Sequence, residues 1–407
     1  MIRLQSCRKA YAKETQRSIP PEETLLLARA RLPVAGITRV ADITNLDRVG
    51  IPVFSSIRPT AGAGAISVYN GKGATPVEAE VSAMMEGIER YSGEMGDRET
   101  VTGRYSEVSV REAALDPADL ILPTRVPADI PVPWVSGFDI VQEEEVLVPA
   151  HAVFHPLPVT CGRLFRTNTN GLASGNTLEE ATFHALMEVV ERDAWSLVEV
   201  TRNTGPRIEG ITDGLAADLL AKFTLSLHDA LPISLKDITS DIGVPTVAAV
   251  ADDVVLKDPA LLTIGMGSHT SAQIAVLRAL TEVAQSRLTQ IHGAREDTDT
   301  ADVRKMIGYD RTKRLNRHWF AEADTIEFAA MPSFDSDDFL TDIDHVTDRL
   351  STAGLSRVVV VDLTRPEIGI PVVRVVVPGL EMYAMDQDRM GRRCRDARSR
   401  RLPRSQL

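Results

Sequence analysis

Cysteine is scarce in this chain of 407 residues. Cys7, Cys161 and Cys394 are far apart, odd in number and without any Cys-x-x-Cys spacing, so neither a disulfide framework nor a thiolate zinc site organises the fold. Long apolar runs are missing too. None approaches the roughly 20 residues needed to cross a bilayer, and the basic N-terminus carries no apolar signal-peptide segment. A cytoplasmic globular protein is expected, with no membrane partner. Positive charge is not in excess: the formal net charge of −12 argues against a nucleic-acid partner. The seven arginines from Arg392 to Arg404 are expected to form a solvated terminus or, as the alternative, to grip an acidic partner. No Gly-x-x-x-x-Gly-Lys-Ser/Thr phosphate loop occurs. What remains, 43% apolar and 25% charged residues, suffices for one large core or two ordinary ones.

One stretch reads as foreign. Residues 224–233, Thr-Leu-Ser-Leu-His-Asp-Ala-Leu-Pro-Ile, are the translation of a common sequencing-library adapter. Residues 224–234 are therefore treated as an artefact that replaces or interrupts native residues between Leu219 and Asp237, for which a surface loop is the tolerable position. His228 and Asp229 receive no catalytic role.

What the chain does have is one design in three copies: a glycine-containing loop, a Thr or Ser helix cap, and a helix with acidic side chains at matched positions. The copies are Gly71-Lys72-Gly73-Ala74-Thr75 leading to Ser82, Glu86, Glu89 and Arg90; Ser174-Gly175-Asn176-Thr177 leading to His184, Glu188, Glu191 and Arg192; and Gly265 to Ser271 leading to Arg278, Glu282 and Gln285. Helices are predicted at residues 21–30 and 178–200. Strands are predicted at 50–54, 65–69, 244–250, 261–265, 357–361 and 372–377, from β-branched or alternating composition. The proline-rich stretch 120–158 suggests strands and extended connections, and 297–344 suggests irregular surface elements. The order of elements lacks a regular βα period, which favours an α+β architecture of repeated strand-loop-helix units.

Residues three and four apart share a helix face. Each copy thus presents a polar row, while Val81, Met84, Met85 and Ile88, and Phe183, Leu186, Met187 and Val190, form apolar faces for the core. Thr75, Thr177 and Ser271 are expected to be N-caps. If the rows converge, each carboxylate pair about 5 Å apart repels by roughly 3 kcal/mol at an effective dielectric of 20. Magnesium relieves that repulsion, since it binds a few carboxylates together with substrate phosphates. Lys72, Arg90, Arg192, Arg278 and the open N–H groups of the helix starts supply positive potential for those phosphates.

Ser-x-x-x-Glu-x-x-Glu-Arg, Glu-x-x-Glu-Arg and Arg-x-x-x-Glu-x-x-Gln, in this order, resemble the signature of the YcaO family. Gly36 to Arg39, Gly50 to Val53, Asn170 to Thr177 and Gly369 to Arg374 are similar to further family segments. The resemblance implies a YcaO-type fold around a central ATP site, with residues 1–63 as an N-terminal segment and 64–407 as the catalytic domain. It implies an ATP-dependent enzyme that activates a backbone amide. Glu86, Glu89, Glu188, Glu191 and Glu282 would hold Mg2+; Lys72, Ser82, Asn176, Arg192, Arg278 and Gln285 would surround the nucleotide. Lys13 and Arg17 would either reach the phosphates or remain an ordinary surface pair, and His184 either faces the site or packs beside it. The mechanism the resemblance implies has a nucleophile add to the amide carbonyl, ATP phosphorylate the oxyanion, and phosphate depart; positioning and charge neutralisation would be the enzyme's share.

Within the family, thioamide, azoline and amidine formation compete. The end of the chain, Arg401-Leu402-Pro403-Arg404-Ser405-Gln406-Leu407, lacks the Pro-x-Pro-x-Pro tail frequent in azoline formers. Ile37 to Thr44, Asp47 to Val53 and Phe154 to Pro158 are similar to the archaeal methanogenesis-marker branch. That likeness implies thioamidation of a glycine in the alpha subunit of methyl-coenzyme M reductase, with a sulfide source as co-substrate, a TfuA-type partner and a homodimer. The alternatives are an azoline-forming cyclodehydratase and a nucleotide-binding scaffold without turnover.

Overall fold

Each repeat folds as a short strand running into a long helix, and each of these units belongs to a different sheet. The computed structural model describes residues 2–13, 15–224, 231–296 and 299–401. Val68–Lys72 is the edge of a three-stranded antiparallel sheet with Val53–Ile57 and Arg39–Asp42, and it leads into the first motif helix, Pro76–Gly93. Leu172–Ser174 is the edge of a six-stranded antiparallel sheet. There it pairs with Val372–Val376, followed by Val359–Asp362, Val132–Asp139 and Val101–Gly103, with Glu144–Pro149 hydrogen-bonded to Val132–Asp139 off this path. It leads into the second motif helix, Leu178–Thr201. Thr263–Ser268 is the edge of a five-stranded sheet that continues through Thr246–Ala251, Ile233–Asp237, Arg207–Glu209 and Thr325–Glu327; it leads into the third, Ala272–His292. Only the last pairing in that sheet is parallel among the described strands, so the architecture is α+β, as expected.

The apolar faces pack as the helical spacing requires. Met84, Met85 and Ile88 join the core under the six-stranded sheet, Phe183, Leu186, Met187 and Val190 a second core, and Ala275, Leu280 and Val283 a third. The glycines differ from expectation. Gly71, Gly265 and Gly267 lie within strands, not loops, and their role is close packing. A Cβ on Gly71 would sit 1.9 Å from the Ala83 backbone nitrogen, and one on Gly267 2.2 Å from the Ala275 carbonyl oxygen. Each helix thus rides directly on the backbone of its own strand, which only glycine allows.

At each helix start a side chain takes up a backbone amide. Thr75 accepts from the Glu78 amide while Glu78 accepts from the amides of Ala74 and Thr75, a reciprocal capping box. Thr177 accepts from the Glu180 amide. Ser271 occupies the N-cap position but its side chain makes no cap bond; its own amide donates to His269 Nδ1, and the Ala272 amide donates to Ser333 Oγ.

Other departures are local. Strand 65–69 is shifted to Val68–Lys72. The stretch predicted as irregular, 297–344, contains the helices Asp299–Ile307, Tyr309–Leu315 and Arg317–Phe320 and the start of a 14-residue helix, Phe339–Thr352, capped by Asp338. The arginine-rich end, expected to be solvated, is helical over Arg392–Arg401. There Arg393 holds the buried Asp193 at 2.8 Å and Asp241 at 2.6 Å. Of the adapter-like stretch, residues 225–230, with His228 and Asp229, lie outside the described residues. Its end is no surface loop: Leu231 is buried and Ile233–Asp237 pairs with Thr246–Ala251.

Candidate active site

The three motif helices meet along one cavity of about 1200 Å³. All five carboxylates marked in the sequence, Glu86, Glu89, Glu188, Glu191 and Glu282, line it, as do Lys72, Ser82, Asn176, Arg192, Arg278 and Gln285. The units are stitched to one another at this wall. Gln285 Nε2 donates to the Asn70 carbonyl at 2.9 Å, Asn70 Nδ2 donates to Thr289 Oγ1 at 2.8 Å, and the Lys72 ammonium is paired with Glu282. The Ser174 amide, in the second unit, donates to Glu89 Oε2 of the first at 2.9 Å. Convergence is therefore built through the middles of the helices, by groups that belong to neighbouring units.

Like charges in a half-buried site oppose ionisation, and the carboxyls show it. Burial first, then Glu86, push Glu89 well above the usual carboxylate range. Burial also pushes Glu188 up to about 7, with Glu191 and Glu86 adding to it against Arg192 and Arg90. Glu191 is raised by burial and by Glu282, and its Oε2 is buried without a hydrogen-bond partner. For Glu282 burial pulls upward, but Lys72 and Arg192 outweigh it and hold this carboxyl below its ordinary value.

The guanidinium groups are similarly unfinished. Arg90 binds Glu86 at 2.8 and 2.5 Å, and Arg192 lies 3.3 Å from Glu191 and 3.8 Å from Glu188. Arg192 Nε and Arg278 Nε are buried without partners. His184 faces the cavity. Its Nε2 accepts from Arg17, burial and then Arg17 hold it neutral, and its Nδ1 has no partner. Arg17 reaches the cavity wall beside Glu180, whereas Lys13 stays exposed with its ammonium 5.8 Å over the Tyr11 ring. Asn176 lines the cavity with its side chain spent on Thr24 and Glu180, and Ser82 Oγ accepts from the Lys72 amide.

These residues fit a magnesium-bound triphosphate. The oxygens are the hard ligands Mg2+ takes, and Arg192, Arg278 and His184, each with an orphaned nitrogen, line the same cavity with the donors a phosphate needs. Among the described residues no three His, Cys, Asp or Glu side chains gather closely enough to hold a metal by themselves; the donor set is open, as it is when the ion shares its coordination with substrate phosphates. Sequence reasoning missed part of the wall. Arg166 to Asn170, His155 and Trp195 line the cavity. Arg374, whose charge is felt by Glu188 and Glu89, stands just behind it. The available signal for Arg374 was a single cation inside the apolar run Val372 to Val377.

The chain matches the YcaO family, described as YcaO cyclodehydratase, ATP- and Mg2+-binding, over residues 70–381. It belongs to that family of ATP-dependent peptide-modifying enzymes. An uncharacterized protein of Methanothermobacter thermautotrophicus is 51% identical over 385 residues, covering 93% of this chain and 99% of its own. A protein encoded in the tfuA 3′ region of Rhizobium leguminosarum bv. trifolii is 33% identical, covering 90% of this chain and 89% of its own. Among solved structures, YcaO from Methanopyrus kandleri bound with AMPPCP and Mg2+ superposes with a TM-score of 0.80 at 32% identity, over 95% of this chain and 98% of that one. A heterocyclase in complex with substrate and cofactor gives 0.79 at 25% identity, over 93% and 54%. Among the described residues no helix is long and apolar enough to cross a membrane.

Proposed function

We propose that this enzyme replaces a backbone amide oxygen with sulfur, and that its substrate is a glycine in the alpha subunit of methyl-coenzyme M reductase. The observation that carries the amide-activating chemistry is the convergence of five carboxylates, two unfinished guanidinium groups, Arg192 and Arg278, and the neutral imidazole of His184 on one cavity. Glu86, Glu89, Glu188, Glu191 and Glu282 would hold Mg2+, which would supply neutralisation of phosphate charge. Lys72, Ser82, Asn176, Arg192, Arg278 and Gln285, which line the same cavity, would bind the nucleotide. Support for the sulfur reading comes from relatives: a methanogen protein at 51% identity, and a protein whose gene neighbours tfuA. The second supports a TfuA-type partner that delivers substrate or sulfide; we also propose that the enzyme works as a homodimer.

The experiment combines enzyme, ATP, Mg2+, sulfide and the glycine-containing peptide, followed by mass spectrometry. The expected product gains the mass difference of one oxygen-to-sulfur exchange on a backbone amide, and an unmodified peptide with every sulfide source and partner present removes the proposal. A second reading, azoline formation from a neighbouring Cys, Ser or Thr, is favoured by the heterocyclase likeness. Loss of one water from a precursor peptide identifies it.

A further inference from the structure

The rim of the cavity continues into a surface that the chemistry above leaves unused. Arg304, on the helix Asp299–Ile307, belongs to the cavity wall, and from there to His318 the chain carries six Lys and Arg residues against one carboxylate, Asp310, in a protein whose formal charge is −12. Arg304, Arg311, Arg314 and Arg317 are exposed. Among the described residues their guanidinium groups make no ion pair or hydrogen bond.

Solvated arginines alone are ordinary on a surface, but those here stand beside apolar side chains that the fold holds out to water. Val254, Val255 and Leu256 are consecutive and all exposed. The turn that presents them is firmly built: buried Asp253 accepts from the Leu256 amide at 3.0 Å while pairing with Arg287 at 3.1 Å and Arg48 at 2.9 Å. Lys257 follows at φ +49°, a left-handed conformation unfavourable for a lysine. The neighbouring helices grip the same segment. Tyr309 donates to Asp252 at 2.5 Å, the Lys313 ammonium pairs with that carboxylate at 2.5 Å, and both Asp299–Ile307 and Tyr309–Leu315 pack against Pro259–Leu261 just beyond the turn. Met306 and Leu315, on these two helices, are exposed as well, Met306 at 81%. Apolar side chains fixed in contact with water among unpaired guanidinium groups mark an interaction surface.

We propose that this surface, running from Arg304 over Arg311, Arg314 and Arg317 to the turn 254–256, docks an acidic segment with interspersed apolar side chains in the polypeptide substrate. Carboxylates of such a segment pair with the guanidinium groups, and its apolar side chains cover Met306, Leu315 and the turn. The inference rests on the peptide-modifying activity of the family and not on the choice between sulfur and azoline chemistry. Continuity with the cavity through Arg304 favours a polypeptide over a lipid surface or a nucleic acid. Docking here raises affinity for the substrate and leaves phosphoryl transfer itself unchanged.

The test measures binding with the nucleotide site already filled. A short fluorescein-labelled peptide of alternating Glu and Leu is titrated into the full-length protein with AMPPCP and Mg2+ saturating, beside Glu-Ser and Lys-Leu peptides of the same length, and anisotropy is read. Saturable binding of the Glu-Leu peptide is expected, with weaker binding of Glu-Ser and none of Lys-Leu. The triple variant Arg311→Gln, Arg314→Gln, Arg317→Gln is expected to weaken it at least about tenfold at about 0.1 M salt, an effect that shrinks at about 1 M as exposed charges are screened. The double variant Met306→Ser, Leu315→Ser is expected to weaken it at least about threefold at either salt concentration. None of these five side chains lines the cavity, so AMPPCP affinity is expected to stay within about twofold. A variant that loses AMPPCP binding has misfolded, and the other then decides. No saturable binding in the parent, binding unaffected by the variants, equal binding of the Lys-Leu peptide, or a preference for phosphatidylglycerol vesicles or oligothymidylate over the Glu-Leu peptide overturns the proposal. Docking of the acidic peptide together with a failed oxygen-to-sulfur exchange leaves the surface standing and removes the sulfur reading alone.

Discussion

Glu191 is 2% exposed, with one oxygen 3.3 Å from Arg192 and the other facing no donor. Such a group contributes little to folding and is suited to binding a cation. Glu191→Gln keeps its shape and removes its charge. Mg2+-dependent phosphate release is expected to fall on the order of 10²–10³-fold, as when one preorganised electrostatic contact is removed, with the thermal midpoint unchanged or higher. Phosphate release at the parental rate would show that the proposed metal site is misassigned. Glu188 makes the same site pH-sensitive. Its carboxyl titrates at about 7 in the folded, ligand-free protein, above the ordinary value near 4.3. Between those values the folded state keeps a proton that the unfolded chain has released, so stability of the ligand-free protein declines as pH rises through that window. Metal binding works in the opposite direction, since a ligand carboxyl must lose its proton. The gain in thermal midpoint from Mg2+ plus AMPPCP is therefore expected to grow from pH 6 to pH 8, and a gain independent of pH across about pH 7 would remove Glu188 from the ligand set.

The motif helices look alike in sequence, yet their first turns are held differently. Thr75 takes part in a reciprocal box with Glu78, whereas Ser271 leaves its hydroxyl unused because His269 and Ser333 already serve the amides of Ser271 and Ala272. Thr75→Ala is expected to cost about 1 kcal/mol in urea unfolding, and Ser271→Ala less than about 0.5 kcal/mol. Equal costs would mean that the third helix is capped by its serine after all. This contrast marks the limit of what the sequence reveals. The polar rows at residues 86 and 89, 188 and 191, and 278, 282 and 285 were legible because helical period alone fixes a face. Glycine was misread because a strand pressed onto a helix backbone and a turning loop ask for the same residue. The helix Phe339–Thr352 was passed over although Phe339, Ile343, Val346 and Leu350 carry its buried face, since the acidic residues around them dominate the composition. Asn168, Asn170 and Arg374 come together only through the pairing of Leu172–Ser174 with Val372–Val376, about 200 residues apart, and local spacing does not report such a pairing.

At the scale of the whole molecule, three sheets share one cavity without a common backbone, so something must fix the units against one another. The N-terminal arm does part of this. Lys9 inserts a fully buried ammonium between Asp342, at 2.5 Å, and the Ser336 carbonyl, at 3.0 Å. Asp342 in turn accepts from Thr270, just before the third motif helix. A few residues on, Ser18 and Arg17 engage Glu180 and His184 of the second motif helix, and Thr24 bonds Asn176. The arm thus spans the second and third units and delivers Arg17 to the cavity. Lys9→Ala leaves Asp342 buried and unpaired, which is expected to cost about 3–5 kcal/mol. Replacing both partners, Lys9→Met with Asp342→Leu, removes the uncompensated charge and is expected to recover most of that loss. The two variants separate anchoring from charge: the single variant should also weaken AMPPCP binding, because Arg17 loses its tether, and the double variant should restore it. Chemical denaturation with parallel nucleotide titration checks both effects, and a single variant within about 1 kcal/mol of the parent would show that the arm rests on the fold without holding its units together.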